Sequence, residues 1–142
     1  MKALIDTCVI IDLLQKSEPF FQSSYLVLLS VANRRVDGII TAKAVADIYY
    51  LMHKYLHDDA KTRQALETIL QLFSVADTAG TDCKKALLSP VSDYEDALMI
   101  ETALREHVDC IVTRNVKDFS KSAVPVHSPD DFLSLLERSE DK

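Results

Sequence analysis

The sequence has only two glycines among its 142 residues and no long run of uncharged apolar residues. Tight hairpin turns usually need glycine, so this scarcity favours a helix-rich chain over one built from hairpins. A membrane-spanning helix needs roughly 18–20 apolar residues, and no segment reaches that length. The three cysteines, Cys8, Cys83 and Cys110, are odd in number and widely spaced. We therefore interpret them as reduced thiols of a cytoplasmic protein, not as a disulfide framework or a zinc site.

Positive charge is also scarce, because 16 Lys and Arg stand against 22 Asp and Glu, which gives a formal net charge of −6. This balance argues against a protein that coats nucleic acid through bulk positive charge. It does not exclude an enzyme acting on nucleic acid, because a metal-binding group of carboxylates itself makes the count more negative. Contact with RNA would then need a local basic patch, a basic partner or a metal ion.

Apolar residues make up 48% of the chain, and its length is usual for one domain, so we expect a single domain over residues 1–142. Its opening apolar segment runs directly into Asp6, unlike a signal peptide. Short apolar strands are predicted at 2–5, 38–40, 74–76, 110–113 and 124–126, with helices at 9–15, 21–33, 42–56, 58–70, 81–88, 93–107 and from 129 onward. Thr7 and Thr41 are predicted to cap two of these helices. The alternation predicts an α/β fold, a three-layer α/β/α domain with a mostly parallel sheet of four or five strands.

Polar side chains follow the predicted strands at the point where each strand ends. Asp6 follows the first strand, Thr41 the second, and Thr113, Arg114 and Asn115 follow the fourth. Parallel α/β sheets bind ligands just beyond the carboxyl ends of their strands. We therefore expect Asp6 and Thr113 to lie at neighbouring strand ends, where the carboxylate could hold a metal or cap a helix.

Further acids occupy helix positions. Asp47 lies in an otherwise apolar helix, where Asp is unfavourable because it competes with the backbone; this indicates a cationic partner, a metal or an exposed face. The predicted long helix opens with Asp93 and Asp96. Acids in a first helical turn are favoured by the helix dipole, so part of this cluster has a structural explanation. We assign Asp93 as the cap and Asp96, which precedes the small Ala97, as the ligand; the reverse assignment stays open.

The segment after the fourth strand adds a fourth acid, Asp118, together with a hydroxyl, a guanidinium, an amide and an ammonium group. The residues that could bind substrate there are Thr113, Arg114, Asn115 and Lys117. Acids thus fall at strand ends or helix starts in four separate segments. Hard divalent cations prefer oxygen ligands, so Mg²⁺ or Mn²⁺ is the expected cofactor, with Asp6, Asp96 and Asp118 as candidate ligands; an ordinary polar loop stays open for the segment that contains Asp118.

Four motifs make the chain resemble the PIN-domain family, and in particular the VapC-like toxins of bacterial toxin–antitoxin pairs. They are residues 4–10 with Asp12, the helix around Asp47, residues 93–98 and residues 111–119. The resemblance implies a Mg²⁺- or Mn²⁺-dependent endoribonuclease that hydrolyses RNA, forms a homodimer and is inhibited by an antitoxin protein.

Carried over by position, the four catalytic acids implied by the resemblance are Asp6, Asp47, Asp96 and Asp118. Thr113 and Asn115 match polar residues that support the site. Two positions depart from the family pattern. Asp47 stands where Glu is usual and is one methylene shorter, and Cys8 stands where Asn or Ser is common, so a ligand and a polar contact are both weakened.

Other interpretations stay open. The chain could be a catalytically degenerate PIN module that binds RNA or a protein without cutting, or another Mg²⁺-using α/β domain, although the paired acids of a receiver or a dehalogenase-like phosphatase are not evident. Six basic residues could form a phosphate-facing stripe or a solvated helix face: Arg34, Arg35, Lys43, Lys54, Lys61 and Arg63. Apolar helices at 21–30 and 44–56 favour the homodimer.

Overall fold

Five short parallel strands form the centre of the structure, a computed structural model that describes residues 1–140. The strands are β1 (Lys2–Ile5), β2 (Asp37–Thr41), β3 (Ser74–Ala76), β4 (Cys110–Val112) and β5 (Val126–His127). The helices are α1 (Thr7–Leu14), α2 (Phe21–Ala32), α3 (Ala42–Leu56), α4 (Asp59–Leu72), α5 (Gly80–Leu87), α6 (Tyr94–Arg105) and α7 (Pro129–Glu140). The sheet order is β3-β2-β1-β4-β5, and every neighbouring pair is parallel. The predicted three-layer α/β fold is therefore confirmed.

The strand order reverses at β1, which determines where a ligand can bind. The chain moves outward from β1 through β2 to β3, then returns to the other side of β1 for β4 and β5. Ala3 and Ile5 belong to one buried core with helices α1 to α4 and α7, whereas Leu4 belongs to a second core with α5 and α6. Helices thus cover both faces, and a crevice opens beyond the carboxyl ends of β1 and β2, beside the point of reversal at which doubly wound sheets bind ligands.

Side-chain caps fix where several helices begin. Thr41 Oγ1 accepts a hydrogen bond from Ala44 N at 3.0 Å, and the Asp93 carboxylate accepts one from Asp96 N at 3.0 Å, so both predicted caps are confirmed. The prediction for Thr7 is wrong, because α1 already begins at Thr7 and Asp6 occupies the N-cap position without a side-chain capping bond. The Asp6 carboxylate instead accepts hydrogen bonds from the side chains of Thr113 and Cys8.

Two further elements differ from the sequence-based expectation. The last strand is Val126–His127, paired with Ile111 and Val112, rather than residues 124–126. A short 3-10 turn at Val116–Phe119 was not predicted, and its Phe119 is buried in the second core. Within residues 1–140, no helix combines the length and the apolarity needed to cross a membrane.

Candidate active site

Asp6 lies at the end of β1 beside β4. Its backbone N–H donates to Val112 O at 2.9 Å, which extends the ladder between the two strands by one residue. Its carboxylate Oδ2 accepts a hydrogen bond from Thr113 Oγ1 at 2.8 Å and a weaker one from Cys8 Sγ at 3.4 Å. The prediction that Asp6 and Thr113 occupy neighbouring strand ends is therefore confirmed. Burial raises the pKa of Asp6 above its usual value, although the bonds from Thr113 and Cys8 oppose this rise.

Thr113 connects Asp6 to the loop that follows β4. Its hydroxyl is fully buried, donates to Asp6 and accepts a hydrogen bond from Asn115 N at 3.1 Å. The contact that Asn115 makes here therefore comes from its backbone. Cys8 Sγ lies 3.6 Å from the same hydroxyl. Burial and the nearby Asp6 raise the pKa of Cys8 to about 11, so the thiol keeps its proton and supplies a weak donor at this position.

Asp96 lies in the first turn of α6, on the other face of the sheet from α1 and α3. Its pKa is raised to about 6, chiefly by burial and then by the charges of four other carboxylates, those of Asp93, Asp6, Asp118 and Glu95. Acids from β1, from α6 and from the 3-10 turn are thus near enough to repel one another. This is the electrostatic environment that a bound cation relieves.

Asp118 belongs to the 3-10 turn and lies on the rim of this group. It lines a shallow surface pocket with Arg114, Asn115 and Lys117, next to the crevice rather than inside it. Among residues 1–140, no three His, Cys, Asp or Glu side chains lie close enough together to enclose a metal ion. The acids therefore form an open group and not a closed set of ligands.

The crevice itself is a pocket of about 260 Å³ between α3 and α6. Its acidic lining residues are Asp6, Asp47, Glu95 and Asp96. Asp47 points into the same pocket as Asp6 and Asp96, but it is paired with Lys43, whose Nζ lies 2.6 Å from Asp47 Oδ2. The same ammonium lies 3.6 Å from Glu95 Oε1. Although burial alone would lower the pKa of Lys43, its contacts with Asp47 and Glu95 raise it, so the side chain is charged.

Arg114, predicted to bind substrate, has other partners. Its guanidinium lies 3.3 Å from the buried carboxylate of Asp12 and 4.5 Å from the centre of the Phe20 ring. These contacts turn the side chain toward α1 and fasten the loop after β4 to that helix. The contact between Asp12 and Arg114 and the position of Glu95 in the pocket were not predicted from the sequence. The spacing of Lys43 and Asp47, four residues apart on a helix, was the available signal for their contact.

Comparison with known proteins agrees with the fold. A chain of VapBC2 from Rickettsia felis, in complex with a promoter DNA fragment, is 18% identical with a TM-score of 0.67, over 90% of this chain and 98% of that one. A toxin–antitoxin complex from Klebsiella pneumoniae is 22% identical with a TM-score of 0.65, over 89% of this chain and 97% of that one. FitAcB from Neisseria gonorrhoeae is 20% identical with a TM-score of 0.67, also over 89% of this chain and 97% of that one. The search of curated proteins found no match. The family model of the PIN domain matches residues 2–117. The chain belongs to the PIN-domain family.

Proposed function

We propose that the chain is a divalent-metal-dependent endoribonuclease that hydrolyses phosphodiester bonds in RNA, and that it is the toxin of a toxin–antitoxin pair. The observation that carries the proposal is the group of carboxylates from three separate segments that line one pocket, namely Asp6 after β1, Asp47 on α3, and Glu95 and Asp96 on α6. Burial, and then the neighbouring carboxylates, raise the pKa of Asp96 to about 6. Structural charges are usually paired, whereas like charges gathered in a crevice are typical of functional sites. Membership of the PIN family and the fold shared with toxin–antitoxin structures support the assignment.

The donor set suits Mg²⁺ or Mn²⁺, because it consists of carboxylate oxygens and includes no free thiolate or paired imidazoles. We assign Asp6, Asp96 and Asp118 as the residues that would hold the ion, with Asp47 contributing directly or through water. A bound divalent ion would supply an activated water and would stabilise charge on the leaving oxygen. Thr113 and Cys8 hold the Asp6 carboxylate in one orientation, so that a ligand is positioned before the ion arrives.

Two basic residues of the loop after β4 have different roles in this proposal. Lys117 shares the shallow rim pocket with Asp118, and we assign it to the phosphate next to the one that is cleaved. Arg114 is held by Asp12 and Phe20, and we assign it to fixing the loop that carries Lys117. RNA would then contact a local basic group, as the net charge of −6 requires.

We further propose that the chain forms a homodimer and binds an antitoxin protein. Tyr50, Leu51 and Tyr55 on α3 are 65%, 36% and 55% exposed, and Leu87 and Leu88 at the end of α5 are 75% and 87% exposed. Grouped exposed apolar side chains are typical of protein interfaces. Sedimentation at micromolar concentration should show a dimer, and a monomer at all concentrations would contradict this part of the proposal.

Cleavage of single-stranded RNA by wild type and Asp6→Asn, each with Mn²⁺ and with EDTA, tests the activity. Asn preserves shape and removes charge, so we expect wild type to cleave only with Mn²⁺ and the variant to be at least about 100-fold slower. Asp37→Asn is a matched control, because Asp37 is exposed at the amino end of β2 and so lies away from the site. Equal rates for Asp6→Asn and wild type would mean another active site or a contaminant.

A PIN module that binds RNA or a protein partner without cleavage is the second candidate. The observation that favours it is the ion pair between Lys43 and Asp47, which occupies an acid that the family uses in its site. Absence of cleavage by wild type over varied RNA substrates, with Mn²⁺ binding retained, would support this candidate instead.

A further inference from the structure

The position of Lys43 has no explanation in local helix energetics. It is the second residue of α3, after the Thr41 cap, and a positive charge near a helix N-terminus is unfavourable. Its ion pair with Asp47 also has the weaker orientation, because an acid placed N-terminal to a base stabilises a helix better than the reverse. The placement must therefore be explained by what the ammonium group contacts in the pocket.

The ammonium of Lys43 spans the pocket from one side to the other. It lies 2.6 Å from Asp47 on its own helix and 3.6 Å from Glu95 on α6, which packs on the opposite face of the sheet. Among the residues that line the pocket, it is the single Lys or Arg, and its side chain is 35% exposed. One tethered cation is thus shared by two carboxylates on the side of the pocket formed by α3 and Glu95.

Nucleases that use two metal ions hold them about 3.5–4 Å apart, each shared among carboxylates. Here the acids divide into two groups. Asp6 and Asp118 act on Asp96 through unbalanced negative charge, whereas Asp47 already has a cation at hydrogen-bond distance. The short side chain of Asp47 keeps its carboxylate within reach of Lys43, one helical turn earlier.

We propose that Lys43 supplies a fixed positive charge where a second divalent ion would otherwise bind, so that this chain takes one ion, on the side of Asp6 and Asp96. The inference rests on the proposed metal-dependent function and defines its stoichiometry. Lys43 is then a positioning residue that holds Asp47 and Glu95 without taking part in ligation of the ion.

Mn²⁺ binding by the intact chain, measured by isothermal titration calorimetry and by electron paramagnetic resonance of free Mn²⁺, tests this inference without any substrate. Wild type should bind one ion per chain. Lys43→Gln removes the charge and should bind two ions per chain, the second at least about 10-fold more tightly than any weak second binding detected in wild type. Lys43→Arg restores a cation and should return the stoichiometry to one. Lys61→Gln, an exposed lysine of α4, is the control and should behave as wild type.

The outcomes separate this inference from the proposed function. Two ions of similar affinity in wild type, or one ion in a folded Lys43→Gln variant, would overturn the inference even if RNA is cleaved. One ion in wild type and two in Lys43→Gln would support it even if no RNA is cleaved. Circular dichroism of each variant shows whether the fold is retained, and Lys43→Met provides a second uncharged variant should Lys43→Gln not fold.

Discussion

Replacing Asp96 by Asn should stabilise the metal-free protein at neutral pH. Burial and neighbouring carboxylates raise the pKa of Asp96 from 3.8 to about 6. With its pKa raised, the folded state binds this proton more tightly than the unfolded chain does. The resulting stabilisation is complete below pH 3.8 and is lost as pH rises through about 6. Above that pH the ionised carboxylate opposes folding, and an uncharged Asn removes the opposition.

The size of the effect follows from the shift. A rise of about 2 pKa units corresponds to roughly 3 kcal/mol, at about 1.4 kcal/mol per unit. Asp96 is partly exposed, and solvent and salt screen its neighbours, so we expect about half of that, ~1–2 kcal/mol. For a domain of this size each kcal/mol changes Tm by about 3 °C. The metal-free Asp96→Asn variant should therefore melt about 3–6 °C above wild type at pH 7.5.

Thermal unfolding in EDTA at pH 4 and pH 7.5, at low ionic strength, measures this difference. The gain should be present at pH 7.5 and nearly absent at pH 4, where Asp96 of the folded protein is protonated. Adding Mn²⁺ should reverse the order, because ion binding stabilises wild type more than the variant. A variant that melts at or below the wild-type temperature at pH 7.5 in EDTA would refute the proposed repulsion.

Three further substitutions and one control, each measured by urea unfolding, test the residues that support the site and the fold. Thr113→Val keeps the side-chain volume but removes the buried hydroxyl that donates to the Asp6 carboxylate. It should lower the free energy of unfolding by about 1–3 kcal/mol and weaken Mn²⁺ binding. Asp82 is 2% exposed, and although burial opposes its ionisation, contacts led by Arg105 hold its pKa below the usual value. Asp82→Asn should therefore lower the free energy of unfolding by about 2–4 kcal/mol at pH 7. This difference from wild type should shrink as pH falls below about 4, because Asp82 of wild type then becomes protonated. Gly38→Ala would place a Cβ 2.8 Å from a valine methyl of α2 and should lower the free energy of unfolding by about 1–3 kcal/mol. Gly80→Ala is the control, because no atom lies within 4 Å of the added Cβ, and it should leave the free energy of unfolding nearly unchanged.

The strand ends and the helix caps could be predicted from sequence because both depend on local chemistry. Thr41 and Asp93 are residue types that accept hydrogen bonds from backbone N–H groups, and each directly precedes a helical pattern. The contact between Asp6 and Thr113 needed one further rule, that the carboxyl ends of adjacent parallel strands lie together. The strands that carry these residues are buried and apolar, so their identity was also evident.

The pairing of charges could not be predicted, because it depends on which elements meet across the sheet. Glu95 reaches Lys43 only because α6 and α3 lie on either side of the crevice that opens where the strand order reverses. Arg114 lies among polar loop residues in sequence, yet it contacts Asp12 and Phe20, about 100 residues earlier. The predicted cap at Thr7 was wrong for a related reason. Asp6 occupies the N-cap position of α1, but its carboxylate accepts a hydrogen bond from Thr113, which follows β4, and does not cap the helix.

The most direct test of the metal centre is a crystal soaked in Mn²⁺ and measured for anomalous scattering. We expect one strong peak near Asp6 and Asp96, with Asp118 drawn toward it, and no peak between Asp47 and Glu95. The absence of a peak beside Asp6 and Asp96, in crystals where Mn²⁺ is bound elsewhere on the chain, would contradict this expectation.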